Sequence, residues 1–425
     1  PFSQHQEVFT AEEKITVTKN WITSLDWFTA KSFASANFHY FEGGRMTDLS
    51  SDIDWRRSLM VGFTPNDTFS SILTDNTWSG SRFSIAEDSI QTTAGIGVAT
   101  DFTFFELLDL FVGGRTDHVD ASSYQPARMF LRNGNGGEST ASVVKGSDHD
   151  YSFSTSLTYR APFGLRPYIS YADNASLLVN ASTGSVTQGN VAANLLARTE
   201  LKEAGIKSTL LKGKLFSTLA AYRQTRKSFD PTDGDGGLSS TLGEGIELEV
   251  RWIVNNKLSF LAGGNWSKNI YLPGSSGTVT TDARFFGFPD VVDANGKVVI
   301  PAEAFGYGGR LSTIIPAEQG NTIYSEVEGF PHRVLNLTST YSPIKGIDLR
   351  WTVYHQGAYS TDRLKLINVP EATAHDAGVT WSNEQWEIRF NITNVFDKLY
   401  FNRGAAYWVS PRIPRSYELA VKRFF

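Results

Sequence analysis

The residues best suited to bind a ligand lie in a stretch of about 60 residues, from 269 to 330, that lacks a sustained strand pattern. The stretch contains Arg284, Phe285, Phe286, Phe288, Tyr307 and Arg310. Aromatic rings stack on planar groups and a guanidinium attracts anions, so this set predicts a site for a planar, anionic ligand. Packing of the loop against its neighbours would use the same side chains. Both interpretations also apply to Tyr407 and Trp408 near the C-terminus.

Catalytic chemistry has little support in this sequence. The seven histidines lie at positions 5, 39, 118, 149, 332, 355 and 375, without the spacing of metal ligands. Cysteine is absent, and no G-x-S-x-G nucleophile motif occurs. The net charge of -5 argues against nucleic acid as a partner. We therefore expect a protein that is not an enzyme and that has no metal, no cofactor and no nucleic-acid partner.

A second polar set follows the period of a β-strand. Glu247, Glu249 and Arg251 alternate with the apolar residues Ile246, Leu248, Val250 and Trp252, so the two kinds of side chain lie on opposite faces. Arg350 and Arg389 occupy equivalent positions in later alternating stretches. These charged residues would either contact a substrate or another domain, or simply form a solvated wall.

The stretches between these residues predict a membrane β-barrel. Alternating strands are joined by short turns, such as residues 342–346, and by long connections, roughly 119–150, 173–199, 227–240, 269–330, 358–370 and 401–414. The two kinds of connection alternate, as in outer-membrane barrels. Aromatic residues make up 13% of the chain, mean hydropathy is -0.23, and no apolar run is long enough for a membrane helix. Asn295-Gly296 between apolar runs predicts a small hairpin inside the longest connection.

The C-terminal forty residues are the most specific part of the sequence. A strictly alternating strand from Trp386 leads into Asn394, Val395, Phe396, Asp397 and Tyr400, and a final alternating strand ends at Phe425. This combination resembles the C-terminus of TonB-dependent outer-membrane transporters. Arg423 departs from the pattern, since the family usually has an apolar residue there. We interpret Asn394 and Asp397 as caps for backbone groups where the strand stops, and Phe396 and Tyr400 as girdle residues. Phe425 resembles the family's signal for the outer-membrane assembly machinery.

The resemblance implies an all-β fold, a transmembrane antiparallel β-barrel with short periplasmic turns and long extracellular loops. The family uses 22 strands, and counting predicts 17–18 or more in this chain. Two of them are expected at residues 55–63 and 68–78. Residues 1–425 would form the barrel domain, incomplete at the N-terminus, with the plug domain absent from this sequence. The row of Glu247, Glu249, Arg251, Arg350 and Arg389 would face the lumen and contact the plug.

The function implied is active transport of a scarce solute across a bacterial outer membrane, with a ferric siderophore as the first guess. The implied partners are TonB, acting through a plug, the small solute, outer-membrane lipid and lipopolysaccharide, and further proteins on the extracellular loops. Two alternatives stay open: a passive porin-like channel, and a scaffold barrel that binds partner proteins. A soluble secreted β-protein is a third.

Overall fold

The computed structural model describes residues 5–48, 83–125, 140–179, 184–229, 238–272, 276–279, 291–292, 298–300, 311–314, 326–361, 365, 368–401 and 409–424. Long antiparallel strands dominate these residues. In the described residues, no helix is long and apolar enough to cross a membrane.

The strands, in chain order, are β1 (His5–Leu25), β2 (Phe28–Asp48), β3 (Phe83–Phe104), β4 (Leu108–Gln125), β5 (Ser142–Tyr159), β6 (Leu165–Leu177), β7 (Leu196–Leu210), β8 (Leu215–Phe229), β9 (Leu238–Ile253), β10 (Leu258–Tyr271), β11 (Ser276–Val279), β12 (Val291–Val292), β13 (Val298–Ile300), β14 (Leu311–Ile314), β15 (Arg333–Ile344), β16 (Ile347–Gln356), β17 (Tyr359–Ser360), β18 (Asn368–Val369), β19 (Ala372–Ser382), β20 (Trp386–Thr393) and β21 (Ser416–Arg423). One short helix, α1 (Gln188–Ala193), lies between β6 and β7.

Fifteen of these strands form a single antiparallel sheet in the order β1 to β10, β15, β16, β19, β20, β21. Each strand pairs with its neighbours along the chain, which gives an up-and-down meander. The short strands form three separate pairs in the long connections. One of these pairs, β12 with β13, confirms the strands of the hairpin predicted around Asn295-Gly296.

The connections alternate in length, as the sequence predicts. At one end of the sheet the turns are short, spanning 26–27, 105–107, 160–164, 211–214, 254–257, 345–346 and 383–385. At the other end the connections are longer, spanning 49–82, 126–141, 178–195, 230–237, 272–332, 357–371 and 394–415. The alternating arrangement of a membrane barrel is therefore confirmed.

Fifteen strands in the described sheet are fewer than the 17–18 predicted from the sequence. The two strands expected at residues 55–63 and 68–78 lie outside the described residues, and β2 pairs directly with β3 across this connection. Several strands are longer than predicted. For example, β4 and β5 stay paired out to Gln125 and Ser142, although a loop was expected from residue 119. A ladder can continue above the lipid, where apolar alternation stops.

The strand register separates two faces. Directly paired residues lie on the same face of a sheet, so following partners places Glu247 beside Ala220 and Asn265. We call this the polar face. The opposite, apolar face exposes large hydrophobic side chains, each 38–67% accessible: Leu219, Ile246, Trp252, Trp266, Trp351, Val379, Phe390 and Leu419. Apolar residues exposed in this number on one face of a sheet are typical of the outer face of an outer-membrane barrel.

A small apolar core lies on the polar face of β4. It consists of Val119, Ala121, Val186, Val191 and Leu195, each at most 7% exposed. Val119 and Ala121 belong to β4, whereas the other three come from the connection 178–195 and its helix α1. This connection therefore folds back over the sheet.

Candidate functional site

The eight predicted ligand-binding residues lie outside the described residues. They are Arg284, Phe285, Phe286, Phe288, Tyr307, Arg310, Tyr407 and Trp408. Their role in binding stays a prediction. The functional site is therefore built from side chains that the structure places at the long-loop end of the sheet.

All five charged residues predicted to face the lumen belong to the polar face. Glu249 pairs with Gly263, and the ladder continues through Asn336 to Tyr354, on the same face as Arg350. Arg389 pairs with Thr380, two residues from the partner of Arg350. The Nδ2 of Asn265 donates a hydrogen bond of 2.8 Å to Oε1 of Glu247. Contact of these residues with a plug domain stays a prediction.

The Asn394 motif closes the end of β20. Asn394 is 1% exposed and has a left-handed φ of 54°. Its Nδ2 donates to the carbonyl of Lys398 at 2.9 Å and of Ile413 at 3.4 Å, and its Oδ1 accepts from the Lys398 N–H at 2.9 Å. Asp397 accepts a hydrogen bond of 2.8 Å from the Arg415 N–H. These contacts join the two ends of the last long connection.

Phe396 and Tyr400 of the same motif lie in different surroundings. Phe396 is 65% exposed, and its ring centroid lies 5.0 Å from His375 and 6.3 Å from Trp351, both on the apolar face. Tyr400, in contrast, is 9% exposed. Burial raises its pKa, and the positive charge of Arg412 opposes part of this rise. Tyr400 therefore stays neutral at physiological pH.

Arg412 and two tyrosines form a cluster at the end of the polar face, which we call the mouth cluster. The Arg412 guanidinium lies 5.9 Å from the ring centroids of both Tyr354 and Tyr400. Tyr354 belongs to the polar face of β16, and Arg412 is exposed. Nearby, the Gln356 side chain donates a 2.9 Å hydrogen bond to the carbonyl of Phe401, which holds the last connection against β16. An exposed guanidinium beside two rings suits an anionic, partly planar ligand.

A polar cavity lies at the same end of the sheet, where the connections 272–332 and 357–371 meet. Its volume is about 280 Å³, and its lining includes Glu326, Glu328, His332 and Lys365. Lys365 contacts Glu326, and His332 Nε2 lies 3.8 Å from the same carboxylate. Burial raises the pKa of Glu326, but the hydrogen bond and charge of Lys365, with the charges of His332 and Lys268, hold it below its ordinary value. The ion pair thus links two connections at neutral pH.

Comparison with known protein families identifies the family of this chain. The family described as "TonB dependent receptor-like, beta-barrel" matches residues 3–395. The chain is a member of this TonB-dependent receptor family. The resemblance drawn from the C-terminal residues is thereby confirmed, as is the barrel class of the fold. No curated protein matches the chain.

Solved structures support the same fold. The siderophore receptor PiuA from Acinetobacter baumannii aligns with a TM-score of 0.67 at 15% identity, over 97% of this chain and 56% of that chain. The ferric citrate transporter FecA aligns with a TM-score of 0.67 at 12% identity, over 99% and 55%. The ferric yersiniabactin uptake receptor FyuA from Yersinia pestis aligns at 0.63 and 11% identity, over 99% and 55%. This TonB-dependent receptor chain thus spans a little over half the length of these proteins, which are receptors and transporters rather than enzymes.

Sequence reasoning missed the mouth cluster in this receptor. Tyr400 was assigned to the girdle, while Tyr354 and Arg412 were not singled out. These residues are up to 58 positions apart, and only the pairing of β16 with β19 and the return of the last connection bring them together. The one available signal was an Arg in a long loop that also carries aromatic residues.

Proposed function

We propose that this protein is the barrel portion of a TonB-dependent transporter that takes up a scarce solute across a bacterial outer membrane. Family membership supports this function, as do a polar face for a wet interior and an apolar face for lipid. The apolar face would contact outer-membrane lipid and lipopolysaccharide. The extracellular connections would bind the solute, and they offer a surface for partner proteins.

The solute proposed is a negatively charged iron chelate of the siderophore type. The mouth cluster is the observation that carries this choice, because Arg412 presents a positive charge between two tyrosine rings at the end of the polar face. A ferric chelate with carboxylate or catecholate groups would pair with the guanidinium and contact the partly exposed ring of Tyr354, whereas the buried Tyr400 supports Arg412 from the protein side. The predicted residues Arg284, Phe285, Phe286 and Tyr307 offer the same chemistry in the connection 272–332.

The barrel wall proposed here needs further strands. Within the described sheet, β1 and β21 each pair on one side only, and both run from the long-connection end to the short-turn end. Unpaired backbone groups are not tolerated in lipid. Direct pairing of β1 with β21 would be parallel, so antiparallel closure requires an odd number of additional strands. We propose that such strands close the barrel and that a plug inside it contacts TonB.

Uptake of radiolabelled iron tests this function. The full-length protein is expressed in a Gram-negative strain without other siderophore receptors, and a panel of ferric citrate, catecholate and hydroxamate complexes is offered. Uptake of one class that disappears in a strain lacking TonB is the expected result. Uptake that persists without TonB would favour the passive channel. Stable partner proteins on the loops without any uptake would favour the scaffold.

Replacement of Arg412 tests the site. Arg412→Gln removes the charge from the mouth cluster and is expected to weaken binding of the transported chelate about tenfold, equivalent to about 1.4 kcal/mol. Arg412→Lys keeps the charge and should lose less. Binding is measured by fluorescence quenching on the purified full-length receptor. Equal affinities for Arg412→Gln and the unmodified receptor would remove the mouth cluster from the binding site.

A further inference from the structure

The described residues of the connection 178–195 lie against the polar face of the sheet across four neighbouring strands. Its Gly184 lies under the ring of Phe41 on β2, and its Val186 N–H donates a 3.1 Å hydrogen bond to Ser89 Oγ on β3. The strand register places four contacted residues on one face of the sheet: Phe41, Ser89, Ala121 and Gly146. Phe41 pairs with Gln91, Gln91 with Ala121 and Ala121 with Gly146, and Ser89 lies two positions from Gln91 on the same strand. The described part of this connection, residues 178–179 and 184–195, is called the inner wall below.

Side-chain hydrogen bonds attach the inner wall at several points. Gln91 Nε2 donates to the Gly184 carbonyl at 3.0 Å. Gln188 Nε2 lies within 3.3 Å of the carbonyls of Ser123 on β4 and Ser142 on β5, both of which accept from it. In each of these contacts a glutamine side chain donates to a backbone carbonyl. At these points the inner wall is therefore held in place by neutral hydrogen bonds and not by ion pairs.

Apolar contacts complete the attachment. Val186 is fully buried and Leu195 is 2% exposed, and both pack on Val119, which is fully buried on β4. Val119 and Ala121 are apolar residues on a face that is mostly polar. Since apolar residues on a wet wall are favourable only when covered, the strand itself is adapted to the inner wall.

Helix α1 approaches the sheet so closely that a glycine is needed beneath it. A Cβ placed on Gly146 would lie 2.6 Å from the carbonyl oxygen of Val191, a backbone atom of α1. No side chain can be accommodated there without moving the helix. A Gly146→Ala substitution, which adds one carbon atom to β5, therefore tests the contact between the sheet and α1.

We propose that the inner wall is a fixed part of the extracellular entrance, which narrows it on the side of β2–β5 and confines the solute to the side of the mouth cluster. This inference rests on the proposed uptake function. Six strands lie between β5 and β16 in the sheet, so the inner wall and Arg412 belong to different sectors. The inner wall then limits the size of solute admitted, and it does not open during transport.

Cysteine labelling tests the docking of the inner wall without any transport assay. The chain has no native cysteine, so Ala121→Cys provides a reporter beneath the wall and Asp120→Cys an exposed one on the opposite face. In the purified full-length receptor we expect Ala121→Cys to react with a bulky maleimide at least tenfold more slowly than Asp120→Cys. Equal rates would overturn the proposal.

Gly146→Ala is the matched perturbation, and Gly97→Ala is its control. A Cβ on Gly97, also on the polar face, meets its nearest atoms at 3.5 Å, an ordinary contact. Gly146→Ala should raise labelling of Ala121→Cys several-fold, whereas Gly97→Ala should leave it unchanged. No change in labelling with Gly146→Ala would contradict the proposed close contact.

A disulfide that holds the inner wall to β3 distinguishes a fixed wall from a lid that moves during transport. Ser89→Cys combined with Val186→Cys introduces thiols on two contacting residues, because the Val186 backbone N–H lies 3.1 Å from Ser89 Oγ. Each single variant serves as control. Iron uptake by the oxidised double variant should equal that of the reduced protein. Uptake that is lost on oxidation and restored by reductant would show that the connection must move. If the unmodified receptor takes up no iron at all, the proposed function fails, while the labelling result still decides whether the wall is docked.

Discussion

Asn394 combines two requirements that few residues meet. Its backbone has a left-handed φ of 54°, and its buried amide bonds the backbone at Lys398 and Ile413. Asparagine tolerates this conformation better than other non-glycine residues, and its amide supplies both a donor and an acceptor. The sequence predicted backbone capping at this position from residue type alone. The partner Ile413, 19 residues away, depends on the return of the chain.

Asn394→Ala is expected to destabilise the receptor strongly. Backbone groups left without partners cost about 1–3 kcal/mol, and alanine at positive φ adds about 1 kcal/mol. Asn394→Gly keeps the conformation but loses the hydrogen bonds, so its loss should be smaller than that of Asn394→Ala. Urea unfolding of the full-length protein in vesicles measures both. Leu399→Ala, at a side chain 71% exposed, is the control and should change little.

At the scale of elements, alternation predicted strands well but their ends poorly. The pattern at Ile246 to Trp252 locates β9, because lipid demands apolar residues at every second position. Above the membrane that demand ends, while the hydrogen-bonded ladder continues, as in β4 and β5. The long connections then meet through contacts that no local pattern encodes. Glu326 and Lys365 are 39 positions apart and link two such connections.

The Glu326–Lys365 link predicts a pH dependence. The pKa of Glu326 in the folded protein lies below its ordinary value of 4.5, so the link stabilises fully above that value and is lost as the pH falls through the lowered pKa. The N–H groups of Val327 and Gly329 donate hydrogen bonds to the carbonyls of Asn269 and Ser360. Their hydrogen exchange, corrected for intrinsic rates, should stay slow at neutral pH and rise only in acid below about pH 4.5.

Glu326→Gln should raise this exchange about two- to five-fold at neutral pH, a modest effect because the pair is partly exposed. It should also remove the increase in acid. Glu328→Gln is the matched control, because its carboxylate accepts from Tyr271 Oη at 3.1 Å and an amide oxygen can still accept. Unchanged exchange in Glu326→Gln would show that the ion pair does not hold the two connections together.

At the scale of the whole molecule, the two faces of the sheet decide which substitutions are tolerated. Leu248 and Glu249 are adjacent in β9 but lie on opposite faces. Leu248 pairs with Leu219 on the apolar face, and Glu249 pairs with Thr218 on the polar face. In the proposed barrel, these neighbouring positions would face lipid and water, respectively.

Leu248→Arg and Glu249→Arg form a paired test of this assignment. An Arg on the lipid face near the membrane centre costs about 2–4 kcal/mol, whereas an Arg on the wet face should cost far less. The free energy of unfolding from phospholipid vesicles measures both variants. Equal losses for the two would mean that the faces are not divided between lipid and water.

The sequence by itself determined the class of fold, the two faces of the strands, the alternation of short and long connections, and membership of the receptor family. These depend on periodicity and on a compact C-terminal motif, which are local properties of the chain. Only the tertiary structure decided which distant residues meet: the mouth cluster, the Glu326–Lys365 link and the inner wall over β2–β5. The physical reason is that a membrane environment requires the same alternating pattern in every strand. Contacts between connections depend instead on the strand register and on where each connection folds back against the sheet.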